Sequence, residues 1–231
     1  MLEVTGDPEV LTAEDVDDPV LAPNEVLIRV AAAGVNFADV LMRRGAYARP
    51  PVLPAVLGNE VAGEVVSADG PFVSGDRVVA LPLGGGGYAE LVAVNRALVF
   101  PLPNHVVFEE AAGLLMTYCT AYLAITRQLR LREGEWLLVQ GGGGGLGTAA
   151  IQLATQLGVR VVATATSDER LRVARGAGAE LVLDRRSDDV AAAVRSATEG
   201  AGVHGVIDPL GGPLLEPALS LVRPFGALVA V

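Results

Sequence analysis

Residues 136–147, WLLVQGGGGGLG, leave the backbone few options. The apolar run Leu137, Leu138, Val139 enters five consecutive glycines, Gly141 to Gly145. After Leu146 and Gly147, the segment TAAIQLA at 148–154 has the composition of a helix. The reading is strand, tight glycine turn, helix. Without a Cβ, glycine reaches positive φ and its backbone can lie directly against a diphosphate. The helix that follows aims its free N–H groups and its dipole at the anion. A bare GxGxxG match (Gly142, Gly144, Gly147) says little inside a polyglycine run, but its surroundings say more. A second apolar strand at 160–164, RVVAT, follows Gly158 and completes a βαβ unit of the length a dinucleotide fingerprint requires. Those flanking strands disfavour the alternative, a flexible glycine linker. A Walker-type phosphate loop needs lysine, and the chain has none.

With 231 residues the chain can bury one large core or two smaller ones. Aromatic residues are only 4% of it, so Ala, Val and Leu must build those cores. The net charge of −10 disfavours non-specific nucleic-acid binding, which needs clustered cations, but not a small anion held by backbone and arginine. The absence of lysine excludes Schiff-base chemistry. Cys119 is the single cysteine, and His105 and His204 are the only histidines, so no Cys/His zinc tetrahedron can be assembled. No charged-then-apolar leader opens the chain and no apolar run is long enough for a membrane span. A cytoplasmic protein is expected.

The first 105 residues read as β-rich. Strands are expected at 25–30, 60–66, 76–80 and 88–94, separated by Gly- and Pro-rich turns, with a short helix at 38–44 after Asn36. Pro101 and Pro103 close this region. A long Ala/Leu-rich helix is expected over 109–128, and the domain junction is placed near His105, giving domains 1–105 and 106–231. From Trp136 strand and helix alternate: helices at 168–176, 188–198 and 214–222, strands at 180–183, 205–208 and 227–231. Alternation of this kind means an α/β fold with a doubly wound parallel sheet. It has five strands rather than six and stops within an apolar strand, so the second domain is read as incomplete.

Cofactor choice is set at the end of the second strand of the βαβ unit, where NAD-specific sites place a carboxylate for the ribose 2′-hydroxyl. Here Thr164, Ala165, Thr166 and Ser167 precede Asp168, and Arg170 follows within a helical turn. Hydroxyls and a guanidinium suit a 2′-phosphate, so NADPH is favoured. The plainer reading of Thr166 and Ser167 is a helix cap, which is compatible with a phosphate contact.

The order of these pieces resembles a medium-chain dehydrogenase/reductase of the zinc-free quinone oxidoreductase (zeta-crystallin-like) branch. The matching stretches are GDPEVL (6–11), GVNFADVLMRRGAY (34–47), LPAVLGNEVAGEV (53–65), GDRVVA (75–80), GGYAELVAV (86–94), the 109–122 stretch ending Thr120-Ala121-Tyr122, the glycine turn, and IDPLGG (207–212). The resemblance covers essentially the whole chain. It implies a GroES-like β-barrel domain followed by a Rossmann domain. Zinc-dependent alcohol dehydrogenases of the superfamily carry a GHE motif and an upstream cysteine as metal ligands. Here those positions read Gly58-Asn59-Glu60 and Asn36, so no metal is expected.

The resemblance further implies hydride transfer from NADPH to a quinone or α,β-unsaturated ketone. Asn36 and Tyr47 would line the cleft beside nicotinamide and substrate, with Tyr47 the proton donor or, alternatively, a packed loop aromatic. Thr120 and Arg127 correspond to cofactor-contacting positions, the alternatives being a packed or capping helix residue for Thr120 and a solvated helix-end cation for Arg127. The cofactor set is completed by Gly141, Gly144, Gly145, Leu146, Gly147, Thr166, Ser167 and Arg170. Asp208 either borders the nicotinamide or caps the turn at Gly211-Gly212. Family members continue past this point and return to complete the first domain. Their dimer-forming sheet edge belongs to that part, so a homodimer is expected only of the relatives. The rival readings are an enoyl-thioester reductase of the same superfamily, and a non-catalytic nucleotide- or RNA-binding protein or inactive fragment.

Overall fold

Short alternating segments between glycines and prolines pair into an antiparallel sheet in the first half of the chain. The computed structural model describes residues 1–231 and divides into two units, Met1–Met116 and Thr117–Val231.

In the first unit, β1 (Glu25–Ala33), β2 (Val61–Ala68), β3 (Arg77–Ala80), β4 (Leu91–Asn95) and β5 (Val99–Pro101) form one sheet in the order β4-β1-β2-β3-β5. Side chains alternate across a strand, so Val26 and Ile28 of β1 face inward to meet Val61, Val65, Val78, Val92 and Val94. Helix α1 (Phe37–Arg43) follows β1, and α2 (Phe108–Ala111) covers a smaller apolar cluster of Ala62, Val79, Leu102, Ala111 and Ala112. The approach to α2 is pinned by Arg77. Its guanidinium donates to the carbonyls of Pro103, Asn104 and Val106 (3.1, 2.8 and 2.7 Å) and lies over the Phe108 ring.

In the second unit, β6 (Trp136–Val139), β7 (Arg160–Ala165), β8 (Leu181–Asp184), β9 (Val203–Asp208) and β10 (Val222–Ala230) form a five-stranded parallel sheet in the order β10-β9-β6-β7-β8. The connecting helices are α4 (Gly145–Gln156), α5 (Asp168–Gly176), α6 (Val190–Ala197) and α7 (Leu215–Leu219). Both sheet faces are buried. Leu137, Val139, Val161, Ala163 and Ile207 pack with Ala150, Ile151 and Ala154 of α4, while Leu138, Val162 and Val206 pack with Val194 of α6 and Ala218 of α7. Strand order reverses between β6 and β9, and in such sheets ligands bind beyond the strand carboxyl ends at that switch. The Leu137 side chain is fully buried at the centre of this sheet. Leu137→Ala is therefore expected to cost ~2–5 kcal/mol of stability. A denaturant titration would show this as a lower midpoint with an unchanged slope.

Three local expectations are corrected. Residues 109–128 are not one helix: α2 ends at Ala111, residues 112–114 turn, α3 (Leu115–Leu123) begins afresh, and Ala124–Gln128 winds a π turn. The break has a packing cause described below. The final helix is shorter than expected and follows a 3₁₀ turn at Gly212–Leu214 containing Pro213. β10 starts at Val222 rather than Ala227, and its pairing with β9 jumps from Val222↔Val203 to Ala227↔Gly205. The jump brackets Pro224, which has no N–H to donate, and Phe225, whose φ is +65°. No helix is long and apolar enough to cross a membrane.

Candidate functional site: a glycine turn beside two free arginines, and a buried polar network

β6 ends by donating the Gln140 N–H to the Ile207 carbonyl (3.0 Å), and the chain then turns on Gly141, whose φ is +65°. The turn is closed by Gly142 N–H to the Thr164 carbonyl (2.8 Å) and Gly144 N–H to the Gly141 carbonyl (2.9 Å). Gly144 is the N-cap of α4 and brings no side-chain oxygen to the helix. The opening N–H groups of an α-helix lack intrahelical acceptors. Those of the turn that begins Gly145, Leu146 and Gly147 thus have no side-chain cap and suit an anion. Close packing surrounds the loop. A Cβ on Gly142 would lie 2.8 Å from the Ala163 Cβ, and one on Gly143 would lie 2.5 Å from the Arg170 Cβ and carbonyl oxygen. Thr117 of α3 approaches Gly145, where a Cβ would be 3.4 Å from its methyl group. Tyr118 of the same helix donates its hydroxyl to Gln152 of α4.

β7 delivers Thr166 and Ser167 to the same end of the sheet. Ser167 is the N-cap of α5, its Oγ accepting from the Arg170 N–H (3.3 Å). Gly141, Thr164, Ala165, Thr166, Arg170, Arg185 and Leu210 line one narrow groove. Neither Arg170 nor Arg185 is in an ion pair; the neighbouring cation Arg186 is taken up by Asp184 at 2.6 Å. Two guanidinium groups without a counter-ion, and no carboxylate on the lining, make this groove a place for an anion. Thr164 Oγ1 is buried there without a partner. Asp208, at the end of β9, accepts the Leu210 and Gly211 N–H groups on Oδ1 (2.9 and 3.0 Å) and closes the turn; its Oδ2 is buried without a partner. Thr120 lies half-buried on α3 and Arg127 is exposed on the π turn.

The first unit carries a second constellation. Asn36 is the N-cap of α1. Its backbone N–H donates to Asp39 Oδ2 (2.8 Å) and its side-chain Nδ2 to Glu60 Oε2 (3.2 Å). Asp39 also accepts from Asn59 Nδ2 (2.8 Å) and from the Tyr88 hydroxyl (2.9 Å), which reaches the Gly34 carbonyl at 3.3 Å. Glu60 is fully buried, and its Oε1 accepts the Met116 N–H (3.1 Å), with a further bond from the Leu115 N–H. A buried carboxylate thus caps the start of α3. Gly34 lies so close to the Ala112 carbonyl that a Cβ would sit 2.1 Å from it. Together these contacts end α2 and restart the chain as α3. Burial pushes the Glu60 carboxyl above the usual glutamate range and the Asp39 charge adds to this, against the bonds from Asn36, Met116 and Leu115. Burial and the bond to Asp39 likewise raise the Tyr88 phenol. Tyr47 lies half-buried on the loop after α1, with no hydrogen bond to its hydroxyl. Met42, Arg49, Pro51, Val52, Leu57, Asn59, Leu83 and Gly85 contribute to a groove nearby in sequence and space.

Residues 22–104 match the family described as "Alcohol dehydrogenase GroES-like domain" and residues 145–231 that described as "Zinc-binding dehydrogenase". The quinone oxidoreductase of Pseudomonas aeruginosa is 36% identical over 228 residues, a match that covers 97% of this chain and 70% of that protein. The human quinone oxidoreductase is 34% identical over 231 residues, covering 98% of this chain and 70% of its own. The chain belongs to the quinone oxidoreductase branch of the medium-chain dehydrogenases/reductases. The fold of this branch extends the match: the Escherichia coli quinone oxidoreductase crystallised with NADPH superposes with a TM-score of 0.93 at 30% identity, covering 99% of this chain and 71% of that one.

Asn36 and Asn59 both carry amide side chains. No three His, Cys, Asp or Glu side chains converge in a way that could hold a metal. The residues that sequence reasoning missed are Arg185, Glu60 and Tyr88. Arg185 had a readable signal, since it stands two residues beyond the strand expected at 180–183 and strand carboxyl ends face the crevice. Glu60 and Tyr88 had none, because their partners are remote in sequence.

Proposed function

We propose that this chain is an NADPH-dependent oxidoreductase that delivers hydride to a quinone or an α,β-unsaturated ketone, with residues 1–105 handling the acceptor and 106–231 the nucleotide. The observation that carries the cofactor assignment is the pair Arg170 and Arg185, unpaired on a groove beside the glycine turn that lacks a carboxylate. In this reading the 2′-phosphate is held by Arg170 and Arg185 with the hydroxyls of Thr166 and Ser167. The diphosphate lies on the turn of Gly141, Gly144, Gly145, Leu146 and Gly147, with Thr120 and Arg127 as further cofactor contacts.

The bound nucleotide supplies the hydride; the chain supplies position, dryness and a proton. Asn36, fixed at the start of α1 by two carboxylates, orients the acceptor. The Tyr47 hydroxyl, which has no protein partner, gives the proton that the reduced acceptor oxygen requires. Quinones and enones accept hydride readily at carbon, so hydrogen bonds from the protein suffice as polarising groups. The branch to which the chain belongs supports this choice of acceptor.

The test is a titration of the 231-residue chain with NADPH, following Trp136 and nicotinamide fluorescence, then turnover with a quinone. Saturable binding with preference over NADH, followed by quinone reduction, is the expected result. A folded chain that binds neither nucleotide ends this reading. Faster reduction of a crotonyl-type thioester than of any quinone moves the activity to enoyl-thioester reduction.

A further inference from the structure

Glu60 has donors on both sides. One carboxylate oxygen receives the Asn36 amide nitrogen at 3.2 Å and the other the Met116 N–H at 3.1 Å, and the Leu115 N–H also donates to the carboxylate. The backbone N–H groups at the start of α3 cannot turn away. The side chain is fully buried, so water cannot replace either partner. An ionised carboxylate offers a full acceptor in both directions; an amide must turn its NH₂ toward one of them, and a protonated acid presents to one of them a hydroxyl, a weaker acceptor that is also a donor. Asn36 is held on its other side as well, through its backbone N–H on Asp39, which is itself satisfied by Asn59 and Tyr88. Of the donors to Glu60, the Asn36 side-chain amide is the one that can rotate.

We propose that Glu60 is a positioning residue for the reaction: its two acceptor oxygens, anchored on the first turn of α3, fix the orientation of the Asn36 side-chain amide. The proposal rests on the reading of Asn36 as the acceptor-orienting group. It explains why a carboxylate is kept in a fully buried place. When Glu60 takes up a proton, the backbone donors keep the carbonyl oxygen and the hydroxyl faces Asn36, whose amide must then rotate to accept it. The titratable groups around Glu60 are Asp39 on α1 and, through Asp39, Tyr88. The Asp39 charge pushes Glu60 toward protonation, in the same direction as burial.

The first experiment needs neither catalysis nor a variant of Glu60. The Asn36 side-chain NH₂ resonance is assigned by its loss in Asn36→Ala and followed against pH in the wild-type chain. The expected result is a shift with one inflection above the ordinary glutamate range. A resonance that stays fixed while the protein remains folded overturns the proposal. Failure of the quinone activity would leave this result standing, so the two readings fail separately.

The second experiment is kinetic. Glu60→Gln has nearly the same shape and is expected to lower kcat by about ten- to a hundredfold, as a misplaced orienting group does, with NADPH affinity unchanged. It is also expected to remove the acidic limb of the rate profile. In the Asn36→Ala background, Glu60→Gln is expected to add nothing. Independent, multiplying effects of the two substitutions would show that Glu60 does not act through Asn36 and would overturn the proposal. If Glu60→Gln does not fold, the wild-type titration decides alone.

Discussion

Gly147→Ala is expected to remove NADPH binding, by at least about a hundredfold, and to lower the stability of the second unit. The reason is space alone. A Cβ at this position would lie 2.3 Å from the Gly141 carbonyl oxygen and 2.8 Å from the Gly142 Cα, and both obstacles are backbone. The Gly141 carbonyl cannot swing aside, because it accepts the Gly144 N–H that closes the turn. Relief therefore means opening the turn itself, and the helix N–H groups lose the place at which they aim. Overpacking of this kind costs ~1–3 kcal/mol. Loss of aim matters more for binding, since each charge-assisted hydrogen bond contributes about 1.5–3 kcal/mol, and more than one such bond is at stake. Gly145→Ala is the matched control. Its new Cβ would meet nothing closer than the Thr117 methyl at 3.4 Å, and it stands at the first position of α4. The fold is expected to keep or gain stability there, because alanine loses less backbone freedom than glycine. Thermal melts and NADPH titrations of the pair check both statements. Normal NADPH binding by Gly147→Ala would mean that the diphosphate does not lie on this turn.

The parts of this molecule that could be read from sequence are those specified by near neighbours. The glycine turn announces itself because an apolar strand and a helical segment flank it within a dozen or so residues. Asn36 was readable as the start of α1, and Thr166 or Ser167 as the cap of α5, the place Ser167 takes, because caps act over three or four positions. What stayed hidden is set by contacts between distant segments. The Ala/Leu composition of 109–128 favours one helix, and tertiary packing overrides it: Glu60 captures the Met116 N–H, and the Ala112 carbonyl fits against Gly34. Neither partner is visible within the helical window. The same holds for Tyr88, which looked like the first residue of a strand. Its hydroxyl is instead committed to Asp39 and the Gly34 carbonyl, and the strand itself begins at Leu91. Asp208 shows an intermediate case. The turn it closes was legible from the glycines that follow, whereas the buried, unpartnered second oxygen was not.

Arg170→Ala together with Arg185→Ala is expected to abolish the preference for NADPH over NADH, with the double variant losing about a hundred- to a thousandfold in NADPH affinity. NADH lacks the 2′-phosphate, so its affinity should change little. Each guanidinium–phosphate bond contributes about 1.5–3 kcal/mol, and 1.4 kcal/mol is a factor of ten. Arg170 is exposed and Arg185 half-buried, so both belong near the lower end of that range. Exposure also means screening: the preference should weaken as salt rises, because the Debye length falls from about 10 Å at 0.1 M to about 3 Å at 1 M. The substitutions are clean tests. Gly143 packs against the Cβ, Cα and carbonyl oxygen of Arg170, all of which alanine keeps, and the Arg185 N–H to Ala165 carbonyl bond is backbone. If both groups hold one phosphate, their effects should couple, since the guanidinium that remains can re-centre on the anion when the other is removed. The first removal should then cost less than the second. Equal loss of NADH and NADPH would show that the arginines support the fold rather than the phosphate. Loss confined to Arg170→Ala would place the phosphate on α5 alone and remove Arg185 from the site.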